Sequence, residues 1–143
     1  MRLIDVNVLV HVHREDAPDH SAYFQWFNDL AQSDQAFAVP DLVFSGFLRV
    51  VTHRRVFDPP SPLASALAFA NDLRSHTNCV SIAPGPRHWD IFIRLCREAD
   101  ARGNLIPDAY LAALAIESGS DLVTADRDFS RFPELRVIYP LTG

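Results

Sequence analysis

Asp5, Asp108 and Asp126 are the residues whose type and placement could do chemistry together. Asp5 ends the first apolar strand run, and the other two fall where the chain is expected to return to the same edge of a sheet. Carboxylates forced together repel one another, so such a cluster is normally held by a divalent cation lying among them. A cation placed that way suits reactions at phosphodiesters.

The elements that must bring the three acids together follow from hydrophobic periodicity. Leu3–Val6 reads as a short buried strand running into an apolar helical turn through Val8, Leu9 and Val12. Residues 18–32 form a helix with Tyr23, Phe24, Phe27 and Leu30 at helical spacing. A second strand, Ala36–Val39, stops at Pro40, and an apolar helix runs from Asp41 to about His53. The proline-rich stretch 54–62 is the clearest loop. Ser61 is then expected to cap a helix that has Pro62 at its first position and reaches Ser75. Cys79–Ala83 reads as a third strand, and Pro86 to about Ala101 as a helix burying Trp89, Phe92, Ile93 and Cys96. Asp108 opens an alanine-rich helix ending at Gly119, followed by strands Leu122–Thr124 and Arg136–Tyr139. Strands alternating with helices imply right-handed crossovers. The expected fold is α/β, one three-layer α/β/α sandwich with a mostly parallel sheet over residues 1–143.

Functional residues of such a sheet collect beyond the carboxyl ends of its strands. Asp5 lies at one such end, and Asp108 in a first helical turn where free N–H groups favour a carboxylate. The chain leaves along that helix and returns through Leu122–Thr124, which carries Asp126 back to the edge it left. Taken singly, Asp108 and Asp126 read as ordinary helix caps. Asp5 does not, because a carboxylate in an apolar run is costly to bury without a partner.

Composition sets bounds on this reading. An apolar fraction of 48% and a charged fraction of 22% are those of an ordinary globular chain, and the net charge of −5 does not by itself suggest a nucleic-acid binder. All 13 basic residues are arginine, which excludes any mechanism needing a catalytic lysine. That bias fits either phosphate recognition by guanidinium forks or a coding preference. Cys79 and Cys96 lack ligand-type spacing and read as reduced core residues, with a disulfide as the alternative. Neither a secretory leader nor a membrane span is visible, so a cytoplasmic protein is expected. Trp26 and Trp89 sit on apolar helix faces and are expected in the core. His11 and His13 form an H-x-H, but in a helical turn they point to different faces.

Several segments resemble the PIN-domain ribonucleases and, among them, the VapC toxins of toxin–antitoxin pairs. Ile4-Asp5-Val6-Asn7-Val8-Leu9 is similar to that family's opening strand and acid. The run from Asn104 to Ala115 around Pro107-Asp108-Ala109 resembles its central acidic helix, and Leu122–Phe129 its closing strand and acid. Phe47–Phe57 resembles its long helix and following loop, so the likeness spans essentially the whole chain. One departure stands out. Many members carry a glutamate just before the Phe-Leu-Arg step, where this chain has Gly46. Asp128 or a water is expected to complete the acid set, since Asp41 lies more than a helical turn away.

The resemblance implies hydrolysis of RNA with Mg2+ or Mn2+ held by Asp5, Asp108 and Asp126, hard oxygen ligands suited to those ions. Asn7 and Thr124 are expected to orient a carboxylate or water behind them, and Arg102 and Arg127 to hold the RNA backbone. It also implies a homodimer and a cognate VapB-type antitoxin that covers the acidic pocket. The apolar helix from Asp41 carries more hydrophobic surface than a monomer easily covers. The competing reading is a catalytically impaired PIN domain that binds RNA or protein, suggested by the loss of an acid at Gly46. Haloacid-type phosphatases and receiver domains fit less well, needing respectively a second Asp where Asn7 stands and a lysine.

Overall fold

A computed structural model describes residues 1–141, so the last two residues of the expected 1–143 domain lie outside the described part. Five short strands form one sheet: β1 (Arg2–Ile4), β2 (Phe37–Ala38), β3 (Cys79–Val80), β4 (Asp121–Val123) and β5 (Val137–Ile138). Their order is β3-β2-β1-β4-β5, and every pairing is parallel. Six helices connect or flank them: α1 (Val6–His13), α2 (His20–Gln32), α3 (Asp41–Val51), α4 (Leu63–Arg74), α5 (His88–Glu98) and α6 (Leu105–Ser118). α1 packs on α2 and α3, and α3 on α4, while α5 packs on α6. The result is the expected three-layer α/β/α arrangement.

The core is built from residues that are apolar at both strand and helix period. Leu3, Ile4, Phe37, Ala38, Leu122 and Val123 are fully buried, as strands covered on both faces require. α6 is buried along much of its length through Ala109, Leu111, Ala112, Ala113, Leu114 and Ala115. Small alanines let it lie close against the sheet and α5. Gly119 then ends it in the left-handed conformation, φ 69°, the usual glycine stop.

Several expectations are corrected. β1 ends at Ile4, and Val6 already belongs to α1, so Asp5 is a helix cap following a strand. Ser61 does not cap α4, which begins at Leu63 with no side-chain cap. Its hydroxyl is instead buried against His13 (3.0 Å) and Arg14 (3.2 Å), tying the proline-rich loop to the end of α1. Trp89 is 64% exposed, because α5 turns Leu95 and His88 inward and leaves Trp89 on its outer side. Trp26 does pack against the core, half-buried. Cys79 and Cys96 are both free thiols, half-buried rather than interior. Leu42 on α3 is 49% exposed, in keeping with the expected excess of apolar surface on that helix.

Candidate active site

Strand register makes the first contact of the site. Ile4 pairs with Val123 across β1 and β4, so the residues following the two strands, Asp5 and Thr124, emerge side by side. The Thr124 hydroxyl donates to Asp5 Oδ2 at 2.8 Å. The Asn7 amide donates to the same oxygen at 3.1 Å, and the Val6 N–H to Asp5 Oδ1 at 2.7 Å. Asn7 Oδ1 in turn accepts from the Ala125 N–H, and Thr124 Oγ1 from the Asp126 N–H, both at 3.0 Å. One network therefore fastens the start of α1 to the chain leaving β4. Asn7 and Thr124 thus both bond to the Asp5 carboxylate.

Asp108 projects from the first turn of α6 and Asp126 caps the 3-10 turn at 127–131, accepting from the Asp128 N–H at 2.9 Å. One carboxylate oxygen each from Asp108, Asp126 and Asp128 lie within 4.8 Å of one another. Asp5 flanks this group. It is close enough for its charge to act on Asp108, while its own acidity is shifted by Asp126. Burial pushes the Asp108 carboxyl up to about 6, and the charges of Asp126, Asp5 and Asp128 push the same way. Burial raises Asp5 as well, against the three hydrogen bonds that favour its ionised form. No arginine or histidine ion-pairs with any of these four acids among the described residues. Clustered carboxylates left unneutralised by the chain itself are a donor set for a hard divalent cation.

Gly46 faces this arrangement from α3. A Cβ built there would lie 2.8 Å from Val6 Cγ2, so Val6 fills the space through which an acid at that position would have to enter. Asp41 is far from compensating, being paired with Arg74 at 2.7 Å. Asp128, by contrast, lies within reach of both Asp108 and Asp126.

The acids open into a cavity of about 510 Å³ between α1, α3 and α6, lined by Asp5, Asp108 and Asp126. Arg49 and His11 line it too, and neither was singled out for this role from the sequence. Arg49 was findable, since it lies three residues after Gly46 on the same helical face. His11 is held at the rim by a hydrogen bond to the Pro18 carbonyl (2.6 Å) and by stacking on Tyr23. His13 turns away to Ser61, so the H-x-H pair does not converge. Arg102 lines a neighbouring cleft that shares Asn104 with the main cavity, where it pairs with Asp100 at 3.1 Å. Arg127 lies over the Tyr139 ring, 3.9 Å from its centre, outside the cavity lining.

The same architecture recurs among known proteins. The PIN domain profile matches residues 2–135. Ribonuclease VapC25 of Mycobacterium tuberculosis is 48% identical over 98% of this chain and 99% of its own length. Ribonuclease VapC31 of the same species is 46% identical with the same coverage. Among solved structures, VapBC2 from Rickettsia felis, bound to a DNA fragment from its promoter, superposes with a TM-score of 0.72 over 96% of each chain at 18% identity, a likeness of fold. The chain thus belongs to the PIN-domain family, alongside its VapC ribonucleases.

Proposed function

We propose that this chain is a toxin-type endoribonuclease that hydrolyses RNA phosphodiesters with Mg2+ or Mn2+. The observation that carries the reading is the convergence of Asp108, Asp126 and Asp128 within 4.8 Å, with Asp5 beside them and none of the four in an ion pair among the described residues. Asp5, Asp108 and Asp126 would hold the ion, and Asp128 would supply the acid that Gly46 does not. A divalent cation there supplies charge neutralisation at the phosphate and a more acidic water.

The chain's own residues do the positioning. Thr124 and Asn7 lock the Asp5 carboxylate, leaving Oδ1 one free acceptor position. The Asp126 N–H bonds to the Thr124 hydroxyl, which also bonds to Asp5, so one side chain ties together the two acids that follow β1 and β4. Arg102, beside the shared Asn104, would hold a phosphate of the strand outside the cavity. Arg127 would do so only after leaving Tyr139. The position of Asp128 favours catalysis over the binding-only alternative. We also propose that residues 1–143 act as one domain in the cytoplasm, as a homodimer restrained by a VapB-type antitoxin. The names of the relatives and the exposed Leu42 support that reading, and no described helix is long and apolar enough to cross a membrane.

The test is to incubate cellular RNA with the wild type and with Asp5→Asn in Mg2+, then sequence the new 5′ ends. Discrete cuts made by the wild type alone, and lost on chelation, are expected. RNA binding by both proteins without cleavage and without metal dependence would establish the binding-only alternative.

A further inference from the structure

Arg49 has no ion-pair or hydrogen-bond partner among the described residues. Five other arginines are each paired with a carboxylate, yet Arg49 is exposed on the wall of a cavity that holds three acids. Among the described residues it is the one arginine that lines the cavity. Nothing in the fold uses it.

Charge balance supplies the use. Four carboxylates and one divalent cation leave two net negative charges at the acid cluster, and an incoming phosphodiester adds another. Without a further cation the substrate would meet like charge. The lining that Arg49 shares with the acids also includes Val43, Val50 and Leu111, apolar side chains suited to the face of a base or ribose. We infer that Arg49 grips an RNA phosphate next to the scissile one and so seats single-stranded RNA across the acid cluster. The inference rests on the ribonuclease reading and adds to it a substrate contact on α3. A guanidinium fork suits this task, since it can hold a phosphate through two N–H groups at once.

Binding tests this without turnover. Asp5→Asn serves as the cleavage-deficient parent, and a fluorescein-labelled single-stranded RNA of mixed sequence is titrated by anisotropy in Mg2+ across a range of salt. Arg49→Gln in that background is expected to weaken binding by about tenfold and to lower the slope of log Kd against log salt by about 0.7, the signature of one lost phosphate contact. Arg49→Lys is expected to keep the slope. Arg97→Gln, an exposed change on α5 away from the cavity, is expected to keep both. An unchanged slope in Arg49→Gln, or an equal drop in Arg97→Gln, overturns the inference while wild-type cleavage leaves the ribonuclease reading standing. If the parent binds no RNA and the wild type cuts none, both fall together.

Discussion

Thr124 and Asp5, 119 residues apart in sequence, share a 2.8 Å hydrogen bond in the interior, where Thr124 is fully buried and Asp5 nearly so. The hydroxyl donates to Asp5 while accepting from the Asp126 N–H, so one side chain sets the spacing of two acids. Thr124→Val keeps the shape and removes the donor. It is expected to cost about 1–3 kcal/mol of stability, the penalty for an under-satisfied buried acceptor, and to weaken cleavage by about 10- to 100-fold. Thr124→Ser should retain most of both. Chemical denaturation and single-turnover cleavage check the pair, and a Val variant as active as wild type would refute the orienting role.

How far the sequence alone could go is clearest at this contact. Strand and helix order predicts Asp5, Asp108 and Asp126 at one edge; the register of β1 with β4 sets Asp5 beside Thr124, while Asp108 comes from the first turn of α6. The expected strands were too long because apolar runs such as Cys79–Ala83 continue past the residues that hydrogen-bond, here Cys79–Val80. Periodicity gave α5 an apolar face but could not say that Trp89 lies outside the layer that covers it. Ser61 before a helix looks like a cap until the loop folds back on α1. The Val6–Gly46 contact was invisible for the same reason: it exists only once α1 packs on α3.

That contact carries its own expectation. Gly46→Ala should gain about 1 kcal/mol in helix propensity, but it drives a Cβ to 2.8 Å from a stiff valine, and overpacking of that kind costs about 1–3 kcal/mol. The clash should win, leaving the variant less stable. In a Val6→Ala background the sign should reverse. A double-mutant cycle read from denaturant midpoints measures the coupling, and additive effects would show that Val6 does not close the position to an acid.

The raised Asp108 gives a pH dependence with a definite sign. Its folded value of about 6 lies above that of an unfolded carboxyl, so the metal-free folded state binds the extra proton. Asp108 therefore destabilises the metal-free protein increasingly as pH rises through that window, and fully above about 6. Asp108→Asn should raise the metal-free melting temperature at pH 7.5, with the gain fading towards pH 4.5. Comparing the variant with wild type at each pH removes the opposite contribution of His13, whose imidazole is held below its ordinary value by burial and by Arg14. Adding Mg2+ at pH 7.5 should stabilise the wild type and erase the advantage of Asp108→Asn. A gain that is the same at both pH values would mean that charge repulsion is not its source.

Asp128 is the remaining test of how the site manages without an acid on α3. Its carboxylate is exposed and held only through its own backbone N–H on Asp126, so removing its charge should leave the fold intact. Ion affinity in oxygen sites follows the number of charged ligands. Asp128→Asn is therefore expected to weaken Mn2+ binding by about tenfold, or ~1.4 kcal/mol, measured by calorimetry on the metal-free protein. Asp41→Asn, which breaks only the exposed pair with Arg74, should leave Mn2+ affinity unchanged. If Asp128→Asn binds Mn2+ as the wild type does, and loss is confined to Asp108→Asn and Asp126→Asn, a water rather than Asp128 completes the set.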